Sequence, residues 1–217
     1  MSRKIRQNRA ATFRLRQRSF VTTEHFTLQG ARSSTIAEAT GRASMFLGAV
    51  SGGLVGLGLV ATATGVGATF YAFGLILLPT LAFVGLVTFS RALQSGIEDY
   101  NYAHRIARLR GYYFQYAPEM VDYLVSVPPE QRLTMQGLRG GPWQKFVTVA
   151  GMVSVVTAVL AGSAAGLFAT VLSRQLLIAA LAGVLVAVGV LVGMISIQTA
   201  AWHRARKASL FADEQIS

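Results

Sequence analysis

Side chains able to do acid–base, nucleophilic or metal chemistry are few in this chain, and they stand apart. The three histidines, His25, His104 and His203, lie in three different segments, each outside the long apolar runs. There is no cysteine, which excludes disulfides, thiolate catalysis and Cys-ligated zinc. Neither HExxH, GxSxG nor a phosphate-cradling GxxxxGK[ST] occurs. Glu98-Asp99 could hold a cation. Adjacent acids on a helix point about 100° apart, however, which suits bridges to nearby arginines better than shared ligation. No catalytic residue, metal ligand or cofactor is therefore expected, and the chain does not read as an enzyme.

The remaining concentration of interacting side chains is aromatic and cationic. Six of the seven tyrosines fall between Tyr100 and Tyr123. Tyr102, Ile106, Leu109, Tyr113 and Tyr116 succeed one another at intervals of four, three, four and three, the seam of a short coiled coil or of a helix packed on one partner. Arg105, Arg108 and Arg110 flank that seam as candidate ligand or headgroup contacts. Aromatic and Arg surfaces are enriched at protein interfaces, which makes a protein contact the first expectation. Stacking of a nucleotide base on a tyrosine, with Arg on its phosphate, is the alternative. From residue 91 to 116 only Gly96 and Gly111 weaken a helix, and those 26 residues would reach roughly 39 Å. Pro118, Pro128-Pro129 and Gly140-Gly141-Pro142 punctuate the remainder of the segment, up to residue 142.

The elements that hold this segment are apolar. Residues 43–90 contain no Asp, Glu, Lys, Arg or His. A membrane-spanning helix needs about 20 apolar residues, so the run is long enough to cross twice. Thr64-Gly65-Val66-Gly67 is the natural turn between span 1 (about 44–64) and span 2 (about 68–90). Two further spans, about 146–172 and 176–202, are separated by Ser173-Arg174-Gln175, with Trp143 and Trp202 expected at headgroup depth. Ser33-Ser34 followed by Glu38 reads as a helix N-cap with a reciprocal acceptor, predicting that the first spanning helix starts there. Pro79 predicts a bend in span 2.

Small residues recur at helical spacing within the spans: Gly48, Gly52 and Gly56; Ala158, Gly162 and Gly166; Gly189 and Gly193. Helices already in lipid associate by close packing, and such stripes let backbones approach. They are candidates either for packing between spans of one chain or for an oligomer interface. No charged or histidine side chain lies within the spans, which weighs against an ion-coupled carrier. A pore gated by an apolar constriction needs no such charge.

Charge placement sets the expected orientation. Of the twenty Lys and Arg residues, nine precede span 1, seven lie between spans 2 and 3, and three come after span 4. Arg174 alone falls in a loop on the other face. By the positive-inside rule both termini are cytoplasmic, as in a multi-pass protein of the cell (inner) membrane. The net charge of +11 then reflects topogenic and headgroup contacts, so nucleic acid is not an expected partner. The reading is an all-α integral membrane protein of four transmembrane helices in two hairpins. It divides into a basic cytosolic segment 1–42, hairpin 1 at 43–90, a cytosolic helical segment 91–142 in which span 2 continues as a stalk, hairpin 2 at 143–202, and a cytosolic tail 203–217.

The stretch Arg-Gln-Arg-Ser-Phe-Val-Thr-Thr-Glu-His-Phe-Thr-Leu-Gln at 16–29, together with residues 105–113, resembles small uncharacterised actinobacterial four-span membrane proteins. In overall plan the chain is also similar to the transmembrane effectors of cyclic-nucleotide anti-phage (Pycsar-like) systems. That likeness rests on architecture and carries over no ligand-binding residue. It implies a homo-oligomer in the lipid bilayer that answers a cytosolic cyclic nucleotide by damaging the membrane. The competing expectation is a structural or adaptor protein anchoring a cytosolic protein partner.

Overall fold

A computed structural model describes the backbone of residues 2–116 and 144–214, and the side chains of residues 22–109 and 146–208. Among the described residues every regular element is helical. They are α1 (Ser2–Thr64), α2 (Ala68–Tyr116), a single turn α3 (Gln144–Val147), α4 (Val149–Ser173) and α5 (Leu176–Glu214). Four helices are long and apolar enough to cross a membrane, the mark of a multi-pass membrane protein.

The helix boundaries arise from local chemistry. No proline occurs before Pro79, so nothing interrupts the hydrogen-bond ladder of α1. The expected start at Ser33-Ser34 is not observed: both serines lie inside α1. Glu38 does not reach back to a cap but accepts from Arg42 Nε one turn later at 2.9 Å. An i,i+4 ion pair on a continuous helix has taken the place of the capping box. α1 ends where the sequence places the turn, with Gly65 at φ +71°, a conformation that suits a residue without Cβ. Pro79 lies within α2, whose helical assignment continues on both sides of it.

Arg174 closes α4 in the left-handed region (φ 53°), its N–H bonded to Thr170 O at 2.9 Å. At the other end, the expected unbroken span from residue 146 is divided at Thr148. That residue is extended (ψ 153°), and its hydroxyl accepts from Gly151 N at 3.0 Å, making it the N-cap of α4.

The chain forms two compact units, Met1–Ile36 with Glu98–Gly140, and Ala37–Ile97 with Gly141–Ser217. The second holds the apolar core. Ala43, Phe46 and Val50 of α1, Leu78, Leu81, Ala82, Phe89 and Ala92 of α2, Ala150, Val153 and Leu160 of α4, and Met194 of α5 are buried together. Three- and four-residue steps put each helix's contribution on one stripe. The opposite faces expose large apolar side chains such as Leu59, Phe83, Leu172, Leu177 and Leu185. Surface of that kind over four long helices fits hydrocarbon rather than water.

Candidate interaction surfaces and the buried polar cluster

The glycines sort into two groups once the space around each is known. Gly162 and Gly183 put α4 and α5 in backbone contact: a Cβ at Gly162 would lie 2.6 Å from Gly183 O and 2.7 Å from Ala187 Cβ. A Cβ at Gly166 would lie 3.2 Å from Ala179 O. On α2, a Cβ at Gly74 would lie 2.6 Å from the Leu167 side chain, and one at Gly85 would overlap the Thr157 hydroxyl and the Phe46 ring. Gly53 of α1 meets Leu81 and Leu77. These are the close approaches that small residues allow between helices in lipid.

The other glycines face open space. Among the described residues nothing lies within 4 Å of a Cβ built at Gly48, Gly52, Gly189 or Gly193, and at Gly56 only Phe73 Cζ is reached, at 3.9 Å. Gly48 and Gly52 of the span-1 stripe are therefore turned away from the other described helices of the chain, while Gly56 sits at the edge of α2. Packing between spans of one chain, one of its two expected uses, is absent at Gly48 and Gly52; the residue that packs is their neighbour Gly53. Gly183 is a contact that sequence reasoning missed. Ala179, Gly183 and Ala187 nevertheless stand at four-residue spacing, the same signal that marks Gly162 and Gly166.

A small polar cluster lies beside the glycine contacts. Ser154 and Thr157 are fully buried, and Gln198 is nearly so. Thr157 Oγ1 donates to Val153 O at 2.7 Å and Ser154 Oγ to Gly151 O at 2.6 Å, so each hydroxyl proton is satisfied within its own helix. Gln198 Nε2 donates to Thr148 Oγ1 at 3.3 Å, linking α5 to the N-cap of α4. Gln198, which sequence periodicity reads as an ordinary span position, thus becomes an interhelical tie. Trp202 is half-buried against the core, its Cζ2 3.6 Å from where a Cβ at Gly96 would stand, so the ring packs rather than standing free. Trp143 lies outside the described residues.

In the other unit, one ion pair joins two helical segments far apart in sequence. Arg32 Nε donates to Asp99 Oδ1 at 2.5 Å and Arg32 Nη2 to Asp99 Oδ2 at 3.3 Å, a bidentate fork. Each side chain is 28% exposed. The sequence places Asp99 next to the arginines of its own helix; the structure gives it an arginine from α1 instead. Asp99, Ala103 and Ile106 are spaced four and three apart, and the latter two are buried; Leu28, one turn before Arg32, is buried as well. Ile106, expected as part of a seam for a partner, is thus only 4% exposed within the single chain. Tyr102 and Leu109 are half-buried, whereas Arg105 and Arg108 are exposed. Tyr113, Tyr116 and Arg110 belong to α2 but lie outside the described side chains.

Among the described residues no group of His, Asp or Glu is arranged to hold a metal ion. No protein-family model, curated protein or solved structure matches the chain. The assignment of function therefore rests on the chain's own geometry.

Proposed function

We propose that the protein is an oligomeric inner-membrane effector or channel-like protein, with both termini cytoplasmic and its spans arranged as two hairpins. The observation that carries this reading is the division of the glycines. Gly74, Gly85, Gly162, Gly166 and Gly183 are occupied by contacts inside the chain, whereas Gly48, Gly52, Gly189 and Gly193 are open. In lipid, water supplies no hydrophobic drive between helices, so an open small-residue face is where a second copy can approach closely. The apolar spans carry no Asp, Glu, Lys, Arg or His, which favours an assembly that perturbs or pores the bilayer over an ion-coupled carrier. The proposal assigns the chain no catalysis. A cytosolic nucleotide as the trigger, and anti-phage defence as the setting, draw on the architectural similarity to cyclic-nucleotide effectors. The cytosolic part of α2, with Arg105 and Arg108 exposed, is the segment through which such a signal would act.

The test uses Gly52→Leu. With nothing within 4 Å of this position, the substitution leaves the monomer folded and monodisperse in detergent. It should abolish higher-order mass, together with any loss of membrane potential on overexpression. Assembly and phenotype that survive the substitution would remove the glycine face as an interface. The adaptor reading would then gain. It is supported by the same exposed arginines, now as the docking edge for a cytosolic protein.

A further inference from the structure

The outward faces of the first and last long helices carry the same repeat. On α1, Glu38, Met45 and Gly52 recur every seven residues with Gly41 and Gly48 between them, and all five are exposed. On α5, Gly189, Ser196 and His203 recur every seven residues with Gly193 and Ala200 between them, and these too are exposed. A seven-residue repeat keeps one seam of a helix turned toward one partner along its length. Among the described residues nothing lies within 4 Å of a Cβ built at Gly41, Gly48, Gly52, Gly189 or Gly193, so neither seam is covered inside the chain. Both seams belong to the same compact unit, the one that holds the apolar core. Their charge differs. The α1 seam ends in the acid Glu38, whereas the α5 seam ends in His203, with Arg204 beside it and Lys207 one turn on, all exposed. Glu38 holds Arg42 at 2.9 Å, and a carboxylate accepts from more than one donor.

We propose that α1 of one copy packs antiparallel against α5 of a second copy, with Glu38 meeting His203 and Arg204 across the contact. The contact rests on the self-assembly proposed above and names the two surfaces that meet. Each crossing of a bilayer reverses the chain, so the first and last of four spans run in opposite directions. Setting Gly48 opposite Gly193 then brings Gly52 to Gly189, Met45 to Ser196, Gly41 to Ala200 and Glu38 to His203. The same register leaves the far ends flush: Thr64, where α1 stops, comes level with Leu177, next to the first residue of α5. Small residues meet along the apolar length, and an acid meets bases at its end. Copies in one bilayer share an orientation, so pairing α1 with α1 or α5 with α5 would be parallel. That would set Glu38 against Glu38, or Arg204 and Lys207 against their own counterparts, and like charges repel. Each copy offers one face of each kind, so the contact is head-to-tail and builds a ring or a chain.

The test uses the full chain, whose lack of cysteine lets single cysteines report the contact. Met45→Cys and Ser196→Cys, carried on two differently tagged copies, are co-expressed and oxidised in their membranes with copper phenanthroline. Both positions are exposed, so neither change touches the buried core. The expected product is a mixed disulfide dimer, with neither variant cross-linking to itself. Met45→Cys with Gly189→Cys, displaced by about 10 Å along the helices, should give little of it. Adding Glu38→Lys to the Met45→Cys copy should lower the mixed yield by about two- to fivefold, the size of an exposed ion pair, and Arg204→Glu on the Ser196→Cys copy should restore it. Self-linked products, equal yields from the two registers, or a yield that Glu38→Lys leaves unchanged would overturn the contact. So would a Glu38→Lys loss that Arg204→Glu does not recover. Mass in detergent separates two failures: an oligomeric unsubstituted chain without the mixed disulfide overturns this contact alone, and a monomeric one removes the assembly itself.

Discussion

Gly162→Ala tests the contact on which α4 and α5 depend. The new methyl carbon would sit 2.6 Å from Gly183 O and 2.7 Å from Ala187 Cβ, whereas ordinary contact begins at 3.4 Å. Gly183 O is backbone inside a helix and cannot rotate away, so the two helices must separate by about 0.8 Å. Separation also loosens the neighbouring approach of Gly166 to Ala179 and Gly183. Overpacking of this kind costs about 1–3 kcal/mol. The better helix propensity of Ala returns about 1 kcal/mol, leaving a net loss of up to about 2 kcal/mol. Reversible unfolding in mixed micelles with increasing dodecyl sulfate would measure it. Gly166→Ala, whose Cβ stands 3.2 Å from Ala179 O, should lose less. Gly189→Ala, with nothing within 4 Å, should be neutral or slightly stabilising. If Gly162→Ala unfolds at the same denaturant fraction as Gly189→Ala, the close approach of α4 and α5 is wrong.

The remaining contacts carry three further expectations. Gly85→Ala should lower stability by about 1–3 kcal/mol because its methyl overlaps the Thr157 hydroxyl, and Thr157→Ala in the same chain should recover much of that loss in the same micelle assay. Arg32→Asp or Asp99→Arg alone should destabilise the helical pairing by about 1 kcal/mol, read as faster amide exchange in residues 22–36, while the double reversal restores protection; a double mutant no better than either single would remove the ion pair from the account. For topology, an impermeant thiol reagent applied to intact cells should modify Gln175→Cys but not Asn8→Cys or Gln136→Cys, and the reverse pattern would invert the proposed orientation.

What the sequence determined by itself is the class of protein and the helix ends that depend on local residues. An uncharged run at 43–90 can only be satisfied in hydrocarbon, and Gly65 and Arg174 sit where short connections between apolar spans must turn. The start of α1 was not legible. Ser33-Ser34 with Glu38 has the local pattern of a cap, but in a stretch free of proline the helix simply continues, and Glu38 pairs forward with Arg42. Only tertiary structure decided which glycines pack. Gly48 and Gly52 carry the same four-residue spacing as Gly162 and Gly166, yet the first pair faces open space and the second meets backbone. Spacing fixes that such residues share a face; it does not fix where that face is turned, because in lipid both directions are equally apolar. The same holds for Asp99, whose partner came from 67 residues away. Local charge pattern reports which pairs can form on one helix, and only the packing of a second helix chooses among partners distant in sequence.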